Sequence, residues 1–291
     1  MSKVPFFFTI DLEDFSQDYR RRVTGNEEYV VRTEAMWSAY RKVSTFCESH
    51  LGGRRITFFT TGVLAHHFPE FVRAIAADGH EIGCHYYFHD SVGSEDTALL
   101  GKRLDEALNA LTTAAQQTIL GFRDPYLSIT HDRVANYREI AKRFAYDSSL
   151  SIDRPFDDKD VEWNDITLDG KMRLFPIAMA ARFGGKLKVR SGGTFVKLFP
   201  VEWTINAMHM GRANGFVPSL YLHPYEFVDD RSFWVKWGAL EGISLPRRAL
   251  AWSRQIQWHV VGNHKVPDKL DRILEEFEHI GPMKMLLAGS A

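Results

Sequence analysis

The stretch Phe6-Phe7-Phe8-Thr9-Ile10-Asp11-Leu12-Glu13-Asp14-Phe15 runs from apolar and β-branched residues straight into three carboxylates. Its first half has the composition of a buried strand. Its second half crowds negative charge at the point where that strand exits. Such a cluster is common as a helix N-cap. It also suits a metal ligand beside a general base, because like charges this close need a cation or a raised pKa. Outward from this stretch the same rhythm recurs. Strands are expected over residues 6–10, 55–60, 81–84, 118–121, 144–147 and 217–222. Helices are expected over 33–50, 68–78, 95–115, 132–143, 201–213 and 268–278. Strand alternating with helix argues for parallel pairing, in an α/β barrel or a doubly wound sheet. In both, the chemistry gathers at the carboxyl ends of the strands.

Composition sets the outer bounds. The chain has 291 residues, 45% hydrophobic and 25% charged, which excludes collagen-like, coiled-coil and wholly disordered classes. A core of this size needs no disulfide staples. Lys and Arg number 36 against 37 Asp and Glu, so no global field draws nucleic acid, and anion recognition must be local. Two cysteines, Cys47 and Cys84, rule out a disulfide scaffold and a Cys-rich zinc site. The run Phe6–Ile10 is too short for a signal-peptide core, and no segment reaches the ~18 apolar residues of a membrane span. The expectation is a cytoplasmic protein. Without repeats or a linker, residues 1–291 read as one domain.

Three further groups follow strands. His85 and His89 lie four apart after Gly79-His80-Glu81-Ile82-Gly83-Cys84, a spacing that lets two imidazoles share a divalent ion. Two histidines and one carboxylate make a facial site with open positions. His80 reads as a turn residue and Cys84 as a small core hydrophobe. Arg123 precedes the fixed turn of Pro125, which would aim the guanidinium inward. His223, in Leu222-His223-Pro224-Tyr225-Glu226, ends another strand.

In order, Asp11-Leu12-Glu13-Asp14, His85-x3-His89, Arg123-Asp124-Pro125-Tyr126 and Leu222-His223-Pro224 resemble the motifs of the NodB-type polysaccharide deacetylases, carbohydrate esterase family four. Tyr146-Asp147-Ser148-Ser149, Ser191-Gly192-Gly193 before Leu198-Phe199-Pro200, and His223-Pro224-Tyr225-Glu226 resemble a subgroup linked with exopolysaccharide and O-antigen assembly. The resemblance covers about residues 5–230, and residues 231–291 read as the C-terminal part of the same domain. It implies an incomplete or distorted (β/α) barrel and hydrolysis of an N-acetyl or N-formyl group on an amino sugar. The substrate would be a glycan, or a lipid-linked or nucleotide-linked sugar. It also implies a divalent ion, Zn first and Co, Ni or Fe as alternatives, on His85, His89 and either Glu13 or Asp14. Asp11 would be the base, Arg123 its support, the Tyr126 backbone N–H an oxyanion donor, and His223 the acid that protonates the leaving amine.

Two departures stand out. The family's usual pair of adjacent aspartates is replaced by Asp-Leu-Glu-Asp, and the fourth motif's Asp and Trp are not recognisable. A carbohydrate-binding protein that has lost the chemistry, and an allantoinase-like hydrolase of cyclic amides, are the alternatives. Two local features have plain readings. Arg20-Arg21-Arg22 reads as solvated surface, with diphosphate binding as the other possibility. The aromatics Phe233, Trp234, Trp237, Trp252 and Trp258 read as packing of a C-terminal extension or a dimer contact, with the lining of a sugar site as the other possibility.

Overall fold

The computed structural model describes residues 2–153 and 166–288. Its first strand, β1 (Val4–Leu12), extends the aromatic run at both ends and is buried from Phe6 onward. Parallel partners flank it on both sides. β2 (Thr57–Thr60), β3 (Glu81–Cys84), β4 (Gly121–Phe122), β5 (Tyr146–Asp147) and β7 (Arg173–Leu174) follow in order on one side. β10 (Ser219–Leu222) closes on the other side, and β11 (Phe277–His279) pairs with the start of β1. Every pairing in this eight-stranded sheet is parallel. Helices cover it, among them α2 (Thr33–His50), α4 (Pro69–Ala77), α5 (Thr97–Ala115) and α6 (Val134–Ala141). The short α3 (Gly62–His67) precedes α4. The result is the incomplete (β/α) barrel that the motif order implied.

Burial explains why the strands read as continuous apolar runs. A parallel sheet covered on its faces exposes neither side to water. Phe6, Phe8, Phe58, Ile82 and Phe122 pack into one core with Tyr40, Val43 and Phe71 of the helices, while Phe7, Phe59 and Tyr146 pack together separately. Close packing also dictates glycines. A Cβ on Gly121 would lie 2.0 Å from Cζ of the buried Tyr146.

Several elements depart from the sequence expectation. α1 (Phe15–Thr24) follows the carboxylate cluster directly, as the helix N-cap reading of that cluster implies, although apolar periodicity outlines no helix there. The expected strands at 118–121 and 144–147 shrink to two residues each, β4 and β5. A second, three-stranded sheet joins β6 (Ser151–Ile152) to β8 (Ile177–Arg182) and β9 (Leu187–Arg190). Its β8–β9 hairpin turns at Phe183-Gly184-Gly185, all at positive φ, a Gly-Gly turn signal that went unread. α7 (Thr194–Leu198) and α8 (Val201–Ala213) lead to β10, and α9 (Leu245–His259), α10 (Val266–Glu276) and α11 (Met285–Ala288) follow it. α9 escaped notice because it leaves Leu245, Leu250 and Ile256 exposed, which blurs the apolar periodicity. Phe233 and Trp234 are buried, as a packing role for the C-terminal aromatics requires.

Gly121→Ala should overpack the Tyr146 contact and destabilise the protein by about 1–3 kcal/mol in urea unfolding. An unchanged midpoint would mean that Tyr146 yields freely.

Candidate metal centre and acid–base site

Parallel strands bring their carboxyl ends to one side of the sheet, and the residues singled out above sit there. Asp11 pairs with Phe59 near the end of β1, and Glu13 is the second residue after it. His85 follows β3, Arg123 follows β4 and His223 follows β10. Asp11, Glu13, His85, His89, Tyr126 and His223 all line one cavity of about 760 Å³. Arg123 lies behind it, fully buried.

The guanidinium of Arg123 is held on every side. Nη1 donates to Asp11 Oδ1 at 2.8 Å and to Thr9 Oγ1 at 2.7 Å. Nη2 donates to Ser148 Oγ at 2.9 Å, Nε to the Ser148 carbonyl at 3.2 Å, and the Phe59 ring centre lies 4.1 Å away. Burial alone would raise the Asp11 carboxyl, but Arg123, with His85 and His223, holds it below the ordinary carboxylate range. Asp11 is therefore an ionised, fixed acceptor.

The two histidines are oriented by different partners. His85 directs Nδ1 to the Arg123 carbonyl at 2.8 Å, which leaves Nε2 buried with no hydrogen-bond partner. His89 directs Nδ1 to the Tyr126 hydroxyl at 3.0 Å and Nε2 to Glu13 Oε2 at 2.6 Å. Burial, and His89 nearby, push His85 down to about 4, so its imidazole is neutral and able to ligate. Burial would raise Glu13, but His89 holds its carboxyl below the usual range. One ligand atom from each of Glu13, His85 and His89 falls within 4.8 Å of the others. Two oriented imidazoles and an ionised carboxylate, one imidazole nitrogen being orphaned, fit a divalent ion of the zinc type.

Asp14 does not join them. It is the N-cap of α1, its Oδ1 accepting from the Ser16 and Gln17 N–H groups and its Oδ2 from the Arg32 N–H at 2.7 Å. Both readings of the carboxylate cluster thus find a residue: Asp14 caps the helix, and Glu13 faces the histidines. Cys84 is buried and free, and His80 accepts the Ile56 N–H in the turn before β3.

Tyr126 sits in the left-handed region at φ +63°, followed by Leu127 at +52°. Non-glycine residues hold that conformation only where their surroundings enforce it. Here the enforcing group is Asp124, whose Oδ2 accepts from the Ser128 hydroxyl and the Ser128 and Ile129 N–H groups, and whose Oδ1 accepts from the Val92 N–H. The Asp124 N–H in turn donates to Ser149 Oγ, which bonds Asp147. The Tyr146-Asp147-Ser148-Ser149 segment is therefore scaffolding for Arg123 and for the Tyr126 turn. Gly192 has a similar supporting part. It lies against the cavity-lining Tyr221, whose ring would meet a Cβ at 2.2 Å.

The sequence marks Glu226 only as part of the His223-Pro224-Tyr225-Glu226 landmark and assigns it no role. Its Oε2 accepts the His223 backbone N–H at 2.9 Å and faces His223 Nδ1 at 3.1 Å, and the side chain is buried. Burial pulls the His223 imidazole down, but Glu226, with Glu13 and Asp11 beyond it, outweighs that and raises it to about 9. Glu226 is thus the carboxylate that orients and charges the His223 imidazole. The available signal was the three-residue spacing of a capping box around Pro224.

Residues 52–147, about a third of the chain, match the family model described as polysaccharide deacetylase. A peptidoglycan deacetylase-like protein of Gibberella zeae is 31% identical over 97 residues, 33% of this chain and 28% of the relative's length. The chain therefore matches less than a third of that relative. A solved structure from Mycobacterium smegmatis, described as a polysaccharide deacetylase, superposes with a TM-score of 0.51 at 20% identity, covering 93% of this chain and 91% of the other. An allantoinase structure gives the same TM-score of 0.51 at 16% identity, covering 96% and 87%. At such identities the superpositions speak for the shared fold.

Glu13→Gln should sharply weaken uptake of added Zn, measured by calorimetry. Asp14→Ala should keep that uptake and instead cost about 1 kcal/mol of stability through the lost cap. Wild-type uptake by the Glu13 variant, or loss of uptake in the Asp14 variant, would overturn this division of labour.

Proposed function

We propose that this chain, a relative of the NodB-type polysaccharide deacetylases of carbohydrate esterase family four by its ordered motifs and its family match, is a metal-dependent hydrolase removing an N-acetyl or N-formyl group from an amino sugar. The observation that carries the reading is an opposed acid and base in one cavity. Asp11, kept ionised by Arg123, and His223, kept protonated by Glu226, border the same space as the Glu13–His85–His89 cluster. Environments that push two titrating groups apart are the usual mark of an assigned base and acid.

A divalent ion, taken here as Zn, would supply Lewis-acid polarisation of the acyl oxygen and a more acidic water. The remaining work belongs to the chain. Asp11 accepts a proton from the attacking water, its orientation fixed by the Arg123 fork. The Tyr126 backbone N–H serves the developing oxyanion, and the strained turn pre-positions it. His223 gives its proton to the leaving nitrogen, which an amide requires because the free amide anion is a poor leaving group. Retention of both proton-transfer groups favours an enzyme over a binding protein. The same reading takes the chain as one catalytic unit in glycan assembly of the exopolysaccharide or O-antigen kind. It also takes the unit as cytoplasmic. No helix among the described residues is long and apolar enough to cross a membrane.

Asp11→Asn and His223→Ala should keep bound metal but lower acetate release from N-acetylated oligosaccharides by ~10²–10⁴-fold. Undiminished turnover in both would remove the acid–base reading. Glu226→Gln should move the alkaline limb of the pH–rate profile to lower pH, because without that carboxylate the His223 proton is lost earlier than at about 9. A limb that stays in place would free Glu226 of this role.

A further inference from the structure

Four arginines border the cavity: Arg22 of α1, Arg190 at the end of β9, and Arg247 and Arg254 of α9. Arg247 and Arg254 lie two helical turns apart and so share one face of α9. Tyr19 draws α1 onto that helix. Its hydroxyl donates to the Ala251 carbonyl at 2.7 Å, and its ring lies 5.2 Å from that of Trp258. Arg22 is one turn beyond Tyr19, so it joins Arg247 and Arg254 on one wall of the cavity, while Arg190 comes from the β9 side.

These guanidiniums are not spent on structure. Arg22 lies 5.1 Å from the Tyr126 ring centre and Arg254 5.8 Å from that of Trp258. Among the described residues, Arg22, Arg247 and Arg254 form no ion pair, and Arg190 only donates from Nε to Ser151 Oγ. Their neighbours differ: Arg20 pairs with Glu28, and Arg21 with Asp90. This narrows the sequence expectation for the triple arginine, since only Arg22 remains available. Asp18, the carboxylate on the same wall, is buried with both oxygens free of hydrogen bonds and forms no ion pair with Arg22, Arg247 or Arg254.

We propose that the molecule acted on carries a phosphate ester or diphosphate beside its N-acyl sugar, bound by Arg22, Arg247 and Arg254. The identity of the sugar rests on the deacetylase reading, whereas the anion site rests on the arginines alone. Three unpaired forks on one wall exceed what a single carboxylate would match and suit the two or more charges of a diphosphate. Two sources share this chemistry, a nucleotide-linked and a lipid-linked sugar. The lipid is a candidate because α9 also exposes Leu245, Leu250 and Ile256 next to its arginines.

The test is calorimetric binding of UDP-N-acetylglucosamine, geranylgeranyl diphosphate and neutral chitobiose to the full chain, with metal content held equal among Arg22→Ala, Arg247→Ala/Arg254→Ala and unaltered protein. At least one diphosphate should bind more tightly than chitobiose, and each variant should weaken it about tenfold or more, as loss of charge-assisted hydrogen bonds does. A preference for one diphosphate then assigns the nucleotide or the lipid source. Diphosphates bound no better than chitobiose, or bound equally by variants and unaltered protein, would overturn the proposal. Arginine-dependent binding without acetate or formate release from any N-acylated substrate would instead sink the deacetylase reading and leave the anion site standing.

Discussion

Burying a guanidinium costs several kcal/mol unless its charge and its hydrogens are all answered. Arg123 is fully buried, and the answer comes from three parts of the chain: Thr9 and Asp11 on β1, Ser148 after β5, and the Phe59 face on β2. Each contact fixes one strand end relative to another. The Arg123 carbonyl extends the arrangement by orienting His85, so the same residue sets both the acceptor carboxylate and one imidazole of the cluster. Displacing Arg123 would leave Asp11 buried without its counter-charge.

The buried carboxylates around this centre divide by what they face. Asp11 and Glu13 look toward cationic or protonatable groups and are held below the ordinary range. Asp14 and Asp124 answer mainly backbone N–H groups, and burial raises both to about 6 despite those bonds. Asp147, bonded to Ser149, is raised by burial to about 7. The first pair is left ionised at the cavity, and the second set holds turns in place. One of those turns carries Tyr126 at positive φ, a strain the surrounding hydrogen bonds sustain.

The periodicity of long, well-buried elements was readable. α2, α8 and β3 match their expected spans, because a covered parallel sheet and one-sided helices leave simple apolar patterns. The elements that escaped are those whose pattern is broken by function or exposure. α1 turns Phe15 and Tyr19 inward but offers Arg22 to the cavity, and α9 exposes leucines beside its arginines. The hairpin β8–β9 was announced by its Gly-Gly turn and simply went unread.

From sequence alone came the residue types and their order: a carboxylate cluster after one strand, a His-x3-His after another, an arginine and a histidine after two more. Covalent spacing and the parallel-sheet rule were enough to bring those groups to one edge. Which carboxylate does what was a different matter. Glu13 and Asp14 are adjacent in the chain, and only the helix that begins at Phe15 turns Asp14 onto backbone N–H groups and leaves Glu13 facing His89. The pairing of Arg123 with Asp11 spans 112 residues, and Arg22 is brought beside α9 by the packing of Phe15 and Tyr19 on that helix. Such contacts depend on how strands are registered and helices docked, which no local pattern encodes.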